Sequence, residues 1–246
     1  MDLPGIDVRM VRRCSSTNTV LLQEKGISRP ILLLAEEQTA GRGRRGRRWH
    51  SAPGASITFS LARQVRRAAR ELPALSLVAG VAVTRALRAF GVEEASLKWP
   101  NDLVAGGGKL GGILVQTRSD GAVIRAVIGI GINCRRDPGL ARRLRRPVAS
   151  LDQFIPSPDT NALVAAMAGN LIQDLDAFEA GGLEAVREEW ERLHAHAGQR
   201  LRVRLSDGRV LTGVADGLAE NGALRLRNSR GLHAVQSGRV ISARGA

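Results

Sequence analysis

Apolar residues first gather at positions 8–13, a stretch of strand length. Ser15, Ser16, Thr17 and Asn18 follow and offer capping side chains to a helix that carries Val20, Leu21 and Leu22 and ends near Gly26. Residues 31–35 are an unbroken apolar run and read as a second strand. Residues 41–48, Gly-Arg-Gly-Arg-Arg-Gly-Arg-Arg, hold too much charge and glycine for regular structure. A strand is expected at 56–61. A long helix is expected from Pro73 past Leu77, Val81, Thr84 and Leu87 to Gly91. Strands at 96–99, 113–116 and 123–132 come next, with a Pro-Asn-Asp turn after the first and a hairpin at Gly106, Gly107 and Gly108. Two helices are expected near 160–179 and 183–196, the first with Leu163, Met167, Leu171 and Leu175 at intervals of one turn.

The texture changes at Gly198. Residues 201–205 alternate, Asp207-Gly208 turns the chain, and 210–214 and 223–226 are short strands on either side of Asn221-Gly222. Short strands joined by such turns indicate a small β-barrel. The pattern therefore predicts an α/β layered domain over 1–197 and a separate small β domain over 198–246.

Composition narrows the function. A chain of 246 residues with 43% hydrophobic content can bury a sizeable core, which excludes wholesale disorder. No stretch approaches the roughly 20 apolar residues of a membrane span, and the N-terminus lacks a signal-peptide core, so the cytoplasm is the expected location and no membrane partner is expected. Cys14 and Cys134 sit in no Cys-x-x-Cys and are expected as reduced thiols, not as a disulfide or zinc site. His194 and His196 are expected near a solvated helix end. The net charge of +14 invites a polyanion. However, the cations are dispersed, aromatics make up 3% of the chain and tyrosine is absent, which argues against a base-stacking surface. Arginine serves almost everywhere a positive charge is needed. Lys25, Lys98 and Lys109 are the only lysines, and two of them fall in one short stretch, where a compact ammonium does what a guanidinium does not.

Gly-Arg-Gly-Arg-Arg-Gly at 41–46 fits a dinucleotide fingerprint by letter. It does not open a helix, and no acidic residue lies between Glu37 and Glu71 to meet a ribose. Taken alone it is either an anion-binding loop, with arginine charge and closely approaching backbone N–H groups, or a solvated basic turn. Lys98-Trp-Pro-Asn-Asp102 places a carboxylate beside lysines, as a Mg²⁺–phosphate site requires, though Pro-Asn-Asp is also an ordinary turn. Lys109-Leu-Gly-Gly112 lacks the Ser/Thr of a P-loop. Gly129-Ile-Gly-Ile-Asn133 puts an amide at a strand end.

In this order, Ser16-Thr17-Asn18, the 36–46 segment, Lys98-Trp-Pro-Asn-Asp102, Lys109-Leu-Gly-Gly-Ile-Leu114 and Gly129-Ile-Gly-Ile-Asn133 closely resemble the catalytic domain of the biotin–protein ligases, and the resemblance extends over residues 10–240. It implies an α/β (α+β) fold: a mixed sheet flanked by helices, a class II synthetase-like catalytic domain, followed by an SH3-like β-barrel. It implies an ATP-dependent enzyme that makes biotinyl-5′-AMP from biotin and Mg-ATP, then passes biotin to a lysine of a biotin carboxyl carrier domain, such as that of acetyl-CoA carboxylase. The residues it implies for biotin are Ser16, Thr17, Asn18, Gln38, Arg42, Gly43, Arg44 and Lys109. For ATP and adenylate they are Arg44, Arg45, Trp49, Lys98, Asn101, Asp102 and Asn133. Arg44, Lys109 and Asp102 are the catalytic candidates, and Asp102 is the candidate Mg²⁺ ligand. Some family members carry an N-terminal helix-turn-helix domain and act as repressors. Only 15 residues precede Ser16, so no sequence-specific DNA binding is expected. A homodimer through sheet edges is compatible with the family. Lipoate–protein ligases and octanoyl transferases share a related fold but lack this pairing of motifs. A basic nucleic-acid-binding module with a remnant ligand fold is the alternative from another class.

Overall fold

The computed structural model describes residues 3–120, 123–144 and 146–244. A seven-stranded sheet runs in the order β1-β2-β3-β7-β6-β5-β4. Its strands are β1 (Asp7–Cys14), β2 (Ile31–Gln38), β3 (Ser56–Val65), β4 (Ser96–Lys98), β5 (Asp102–Ala105), β6 (Gly108–Asp120) and β7 (Val123–Asn133). β1 pairs parallel to β2 and the remaining ladders are antiparallel, so the sheet is mixed.

Alternation along β2 decides which face each residue serves. Leu32 points into the main core, whereas Ile31 and Leu33 join a smaller cluster under the helix α1 (Thr17–Gln23). The opposite face carries α2 (Leu75–Ala89), backed by α4 (Thr160–Gly181) and α5 (Glu184–Leu193). α2 is buried on nearly all sides. The segment Leu72–Ala89 is long and apolar enough to cross a membrane, but 72% of that window is buried inside the molecule, as a central core helix requires. Arg85 of α2 ties the layer together by pairing with Asp174 of α4 at 3.1 Å and with Glu189 of α5 at 2.5 Å.

The hairpin expected at the glycine run joins β5 to β6. Gly106 and Gly107 both hold positive φ (53° and 72°) between the paired Ala105 and Gly108, the backbone a two-residue β-turn of this hand needs. Several strands of this sheet run further than their apolar cores suggested: β2 continues to Gln38, β3 to Val65, and β6 spans Gly108–Asp120. A short helix, α3 (Pro138–Leu144), has no apolar period in the sequence to announce it. His194 corrects an expectation. It lies at the end of α5 but is buried, with its ring stacked on Trp190 at 4.6 Å.

The C-terminal part forms a second antiparallel sheet from β8 (Arg200–Leu205), β9 (Val210–Leu218), β10 (Leu224–Asn228), β11 (Gly231–Val235) and β12 (Gly238–Arg244), in the order β11-β10-β9-β8-β12. Among the described residues β11 and β12 do not pair with each other, so the small β domain is a curled sheet and not a closed barrel.

Candidate active site

A cavity of about 310 Å³ opens between the start of α1, the 41–49 loop and the floor made by β6 and β7. Its inner end is a chain of buried polar groups. Ser16 occupies the N-cap position of α1 but makes no capping hydrogen bond. Gln38, at the end of β2, caps the helix instead: its Oε1 accepts from the Thr17 backbone N–H at 2.8 Å. The Thr17 hydroxyl lies 2.6 Å from that of Ser60, and Ser60 donates to Asn18 Oδ1 at 2.6 Å. A hydroxyl has one proton, so Ser60 accepts from Thr17, and the Thr17 hydroxyl, 3.2 Å from Gln38 Oε1, cannot donate there at the same time. Asn18 spends its amide hydrogens on the Leu114 carbonyl at 3.1 Å and Gln116 Oε1 at 3.0 Å. Gln38 Nε2 has no partner among the described residues, and the Ser16 hydroxyl is likewise uncommitted.

The floor depends on two glycines of β7. A Cβ at Gly129 would lie 2.1 Å from Asn18 Oδ1, and one at Gly131 would lie 2.4 Å from the Trp49 indole. The Trp49 ring thus rests flat against bare backbone, with its Nε1 buried and unpartnered. Trp49 in turn fixes the arginine loop. Its backbone N–H donates to the Gly41 carbonyl at 2.9 Å, Arg42 and Arg48 form an antiparallel backbone bridge, and Gly43 N–H donates to the Arg47 carbonyl at 2.7 Å. The segment expected to lack regular structure is therefore a small hairpin closed on itself, with a 3₁₀ turn at Arg44–Gly46 and Arg45 at φ 56°.

The outer end is cationic. Arg44 reaches Asn101 Oδ1 at 3.2 Å, and Asn101 is held by its own donation to the Ile113 carbonyl at 2.7 Å. Burial, then the neighbouring Arg45, weakens Arg44's hold on its proton relative to an ordinary guanidinium. The Lys109 ammonium pairs with Asp102 across the β5–β6 ladder. Burial pushes the Lys109 pKa below the usual lysine value even though Asp102 opposes the shift.

Eleven of the residues singled out in the sequence line this one cavity: Ser16, Thr17, Asn18, Gln38, Arg42, Gly43, Arg44, Trp49, Asn101, Asp102 and Lys109. Arg45 and Lys98 instead line an adjoining cavity, and Arg45 also reaches Ser237 Oγ, in the turn between β11 and β12, at 3.1 Å. Asn133 faces neither cavity. It is buried, and its amide donates to the carbonyls of Lys109 at 3.1 Å and Ala149 at 3.0 Å, so it braces the backbone that carries Lys109. The sequence reading missed Ser60, which belongs to no motif; it quoted Gly129 and Gly131 within the 129–133 motif but gave them no role, since their value lies in what they leave out. It also missed Arg146 and Arg239, which line both cavities. Among the described residues no three His, Cys, Asp or Glu side chains converge as a metal cage.

The model of the biotin/lipoate A/B protein ligase family matches residues 10–133, and that of the biotin protein ligase C-terminal domain matches 196–241. The bifunctional ligase/repressor BirA of Escherichia coli is 33% identical, with 99% of this chain and 76% of that protein covered. This chain spans 66% and 64% of two further BirA proteins. The biotin–[acetyl-CoA-carboxylase] ligase of Paracoccus denitrificans is 30% identical over 94% of this chain and 99% of its own length. A biotin protein ligase from Aquifex aeolicus, solved in complex with biotin and ATP, superposes with a TM-score of 0.83 at 26% identity, covering 98% of this chain and 99% of that one. The chain belongs to the biotin/lipoate A/B protein ligase family, a family of enzymes. Its C-terminal domain and its relatives set it among the biotin protein ligases.

Proposed function

We propose that the chain condenses biotin with ATP to biotinyl-5′-AMP and pyrophosphate, then transfers biotin to a lysine of a biotin carboxyl carrier domain, in the cytoplasm. The observation that carries this reading is the joining, in one cavity, of a buried neutral polar end to a cationic outer end. A ureido ring has one acceptor and two donors, and it loses water on burial, so it needs partners of both kinds. The uncommitted Ser16 hydroxyl and Gln38 Nε2 supply them. The biotin carboxylate then lies toward Arg44 and Lys109. A carboxylate and an α-phosphate repel each other, and the two cations offset that repulsion as the carboxylate oxygen bonds to phosphorus. The Aquifex aeolicus relative was solved with biotin and ATP together, which supports the same pairing of ligands here.

Mg²⁺ favours a donor set of one or two carboxylates completed by phosphates and water. Asp102 is a single carboxylate at the cationic end, and it fits that role beside a nucleotide. The ion would supply further neutralisation of phosphate charge. Asp102 is also placed to accept a proton from the incoming lysine, whose free pKa is about 10.4. Normal transfer from preformed adenylate by Asp102→Ala would exclude that second role.

The deciding experiment is ATP–pyrophosphate exchange with Mg²⁺ and biotin, lipoate or octanoate. Exchange with biotin alone is expected. Exchange with lipoate or octanoate only would move the chain to the neighbouring branch of the family, and no exchange from folded protein would overturn the adenylation reading.

A further inference from the structure

An acceptor lysine reaches neutral pH as an ammonium and must lose a proton before its nitrogen can attack. Among the described residues that line the cavity, two side chains can take that proton, Asp102 and His50; the other charged groups are arginines and Lys109, which are already protonated. Asp102 is committed, since it holds the Lys109 ammonium. His50 is not: among the described residues no hydrogen bond or ion pair engages its imidazole, and the side chain is exposed at the cavity's mouth. Its place is nevertheless fixed from both sides. Trp49 is pinned by its backbone N–H on the Gly41 carbonyl and by its ring against Gly131, and the Ser51 hydroxyl accepts from the Gln38 N–H at 3.0 Å. The fold therefore holds a free imidazole between two anchors that also shape the biotin end.

The surrounding charge suits a base. Arg48 of the same loop and Arg143 of α3 face His50, with Asp137 as the opposing carboxylate. Burial first, then those two arginines, hold the imidazole below its ordinary pKa, so at neutral pH the ring is uncharged and can accept a proton. The same field acts on the lysine. An ammonium arriving beside Arg42, Arg47 and Arg48 is repelled, and it gives up a proton more readily there than in water.

We infer that His50 is the general base of the transfer step, taking a proton from the acceptor lysine as it enters the cavity. This rests on the adenylation reading above, and it gives His50 the proton transfer for which Asp102 is the other candidate. The ammonium passes one proton to a ring nitrogen of His50. The freed amine attacks the biotinyl carbonyl carbon. The C–N bond forms, the bond from that carbon to the phosphate oxygen breaks, and its electron pair leaves with AMP. The second proton on the nitrogen goes to that leaving oxygen, and the exposed imidazolium returns its own to water. Adenylation involves no amine and does not call on His50.

The test uses the full chain charged with biotinyl-5′-AMP, in single turnovers with a biotin carboxyl carrier domain as acceptor. His50→Gln keeps a polar side chain and removes the base. Transfer to lysine is expected to slow by about 100-fold. The wild-type rate should fall as pH drops below about 6.5, where the imidazole takes up a proton, and the variant should lose that limb of the profile. Transfer to hydroxylamine, a nucleophile already unprotonated at neutral pH, should stay within twofold of wild type. An unchanged rate to lysine in the variant would overturn the assignment. So would an equal loss with lysine and hydroxylamine, which would mark a structural role. Failure of the underlying reading is distinguishable, because it would show as wild-type protein that catalyses no biotin-dependent ATP–pyrophosphate exchange.

Discussion

Ser60 belongs to no motif and carries no charge, yet the polar end of the site hangs on its hydroxyl. It is fully buried, accepts from Thr17 and donates to Asn18, and Thr17, whose backbone N–H donates to Gln38 Oε1, links it to the Gln38 carboxamide. Ser60→Ala leaves Asn18 Oδ1 without its donor where water does not replace it, and turns the Thr17 hydroxyl to Gln38 Oε1 at 3.2 Å. The expected cost is about 1–3 kcal/mol, the penalty of a buried polar group left unsatisfied, together with weaker biotin binding as Thr17 and Gln38 lose their fixed orientation. Urea unfolding and biotin titration check the two effects, and wild-type values for both would remove Ser60 from the network. The motif residues Thr17 and Gln38 were legible in the sequence because the family resemblance pointed at them. Ser60 was not, because a serine in an apolar strand states nothing about what crosses the sheet above it.

At the scale of elements, period and turn chemistry announced most of the strands, α2 and the Gly106–Gly107 hairpin, since each depends on local rules, whereas β11 and β12 were not announced. What stayed hidden depends on distant partners. The glycines of β7 look like strand-weakening residues in isolation and become intelligible only when Trp49 and Asn18 arrive from elsewhere. Gly131→Ala forces the Trp49 ring off the floor. It should destabilise the fold by about 1–3 kcal/mol, as overpacking does, and shift tryptophan fluorescence as the arginine loop loses its anchor. An unchanged spectrum would mean that Trp49 does not fix the loop. His194 is a second case. Burial, with a smaller push from His196, lowers its imidazole from 6.5 to about 3, and its ring packs on Trp190 with Nε2 unpartnered. Between those two values the unfolded chain takes up a proton that the folded chain refuses, so this group makes stability fall as pH falls through the window. His194→Phe keeps an aromatic ring on Trp190 and removes the titration. Its urea midpoint should therefore drop less than that of the wild type between about pH 7 and about pH 4. Parallel curves would show that His194 does not contribute.

Over the whole molecule, the change of texture at Gly198 marks where the architecture changes but not where the core ends. Trp190 and Leu193 of α5 belong to one continuous cluster with Leu201, Val203, Ala215, Leu218, Leu224 and Leu226 of the second sheet. Polar ties cross the same boundary. The Leu218 N–H donates to Glu191 at 2.9 Å, Arg187 donates to the Leu218 carbonyl at 2.8 Å, and the Trp99 indole donates to the Gly222 carbonyl at 3.3 Å. A β unit of roughly 50 residues is near the lower limit for holding itself folded, so most of its stability must come from this shared core. Calorimetry should accordingly show one unfolding transition, with van't Hoff and calorimetric enthalpies in agreement. Two resolved transitions would mean that the sheets fold independently. One cooperative unit also dictates how the C-terminal sheet has to be probed. Cutting the chain near residue 198 would expose the Trp190 face and unseat the Trp99 indole, so loss of activity in such a fragment would report lost folding. The sheet's chemical share is separable only by point changes such as Arg239→Gln, on a side chain that is exposed and outside the shared core.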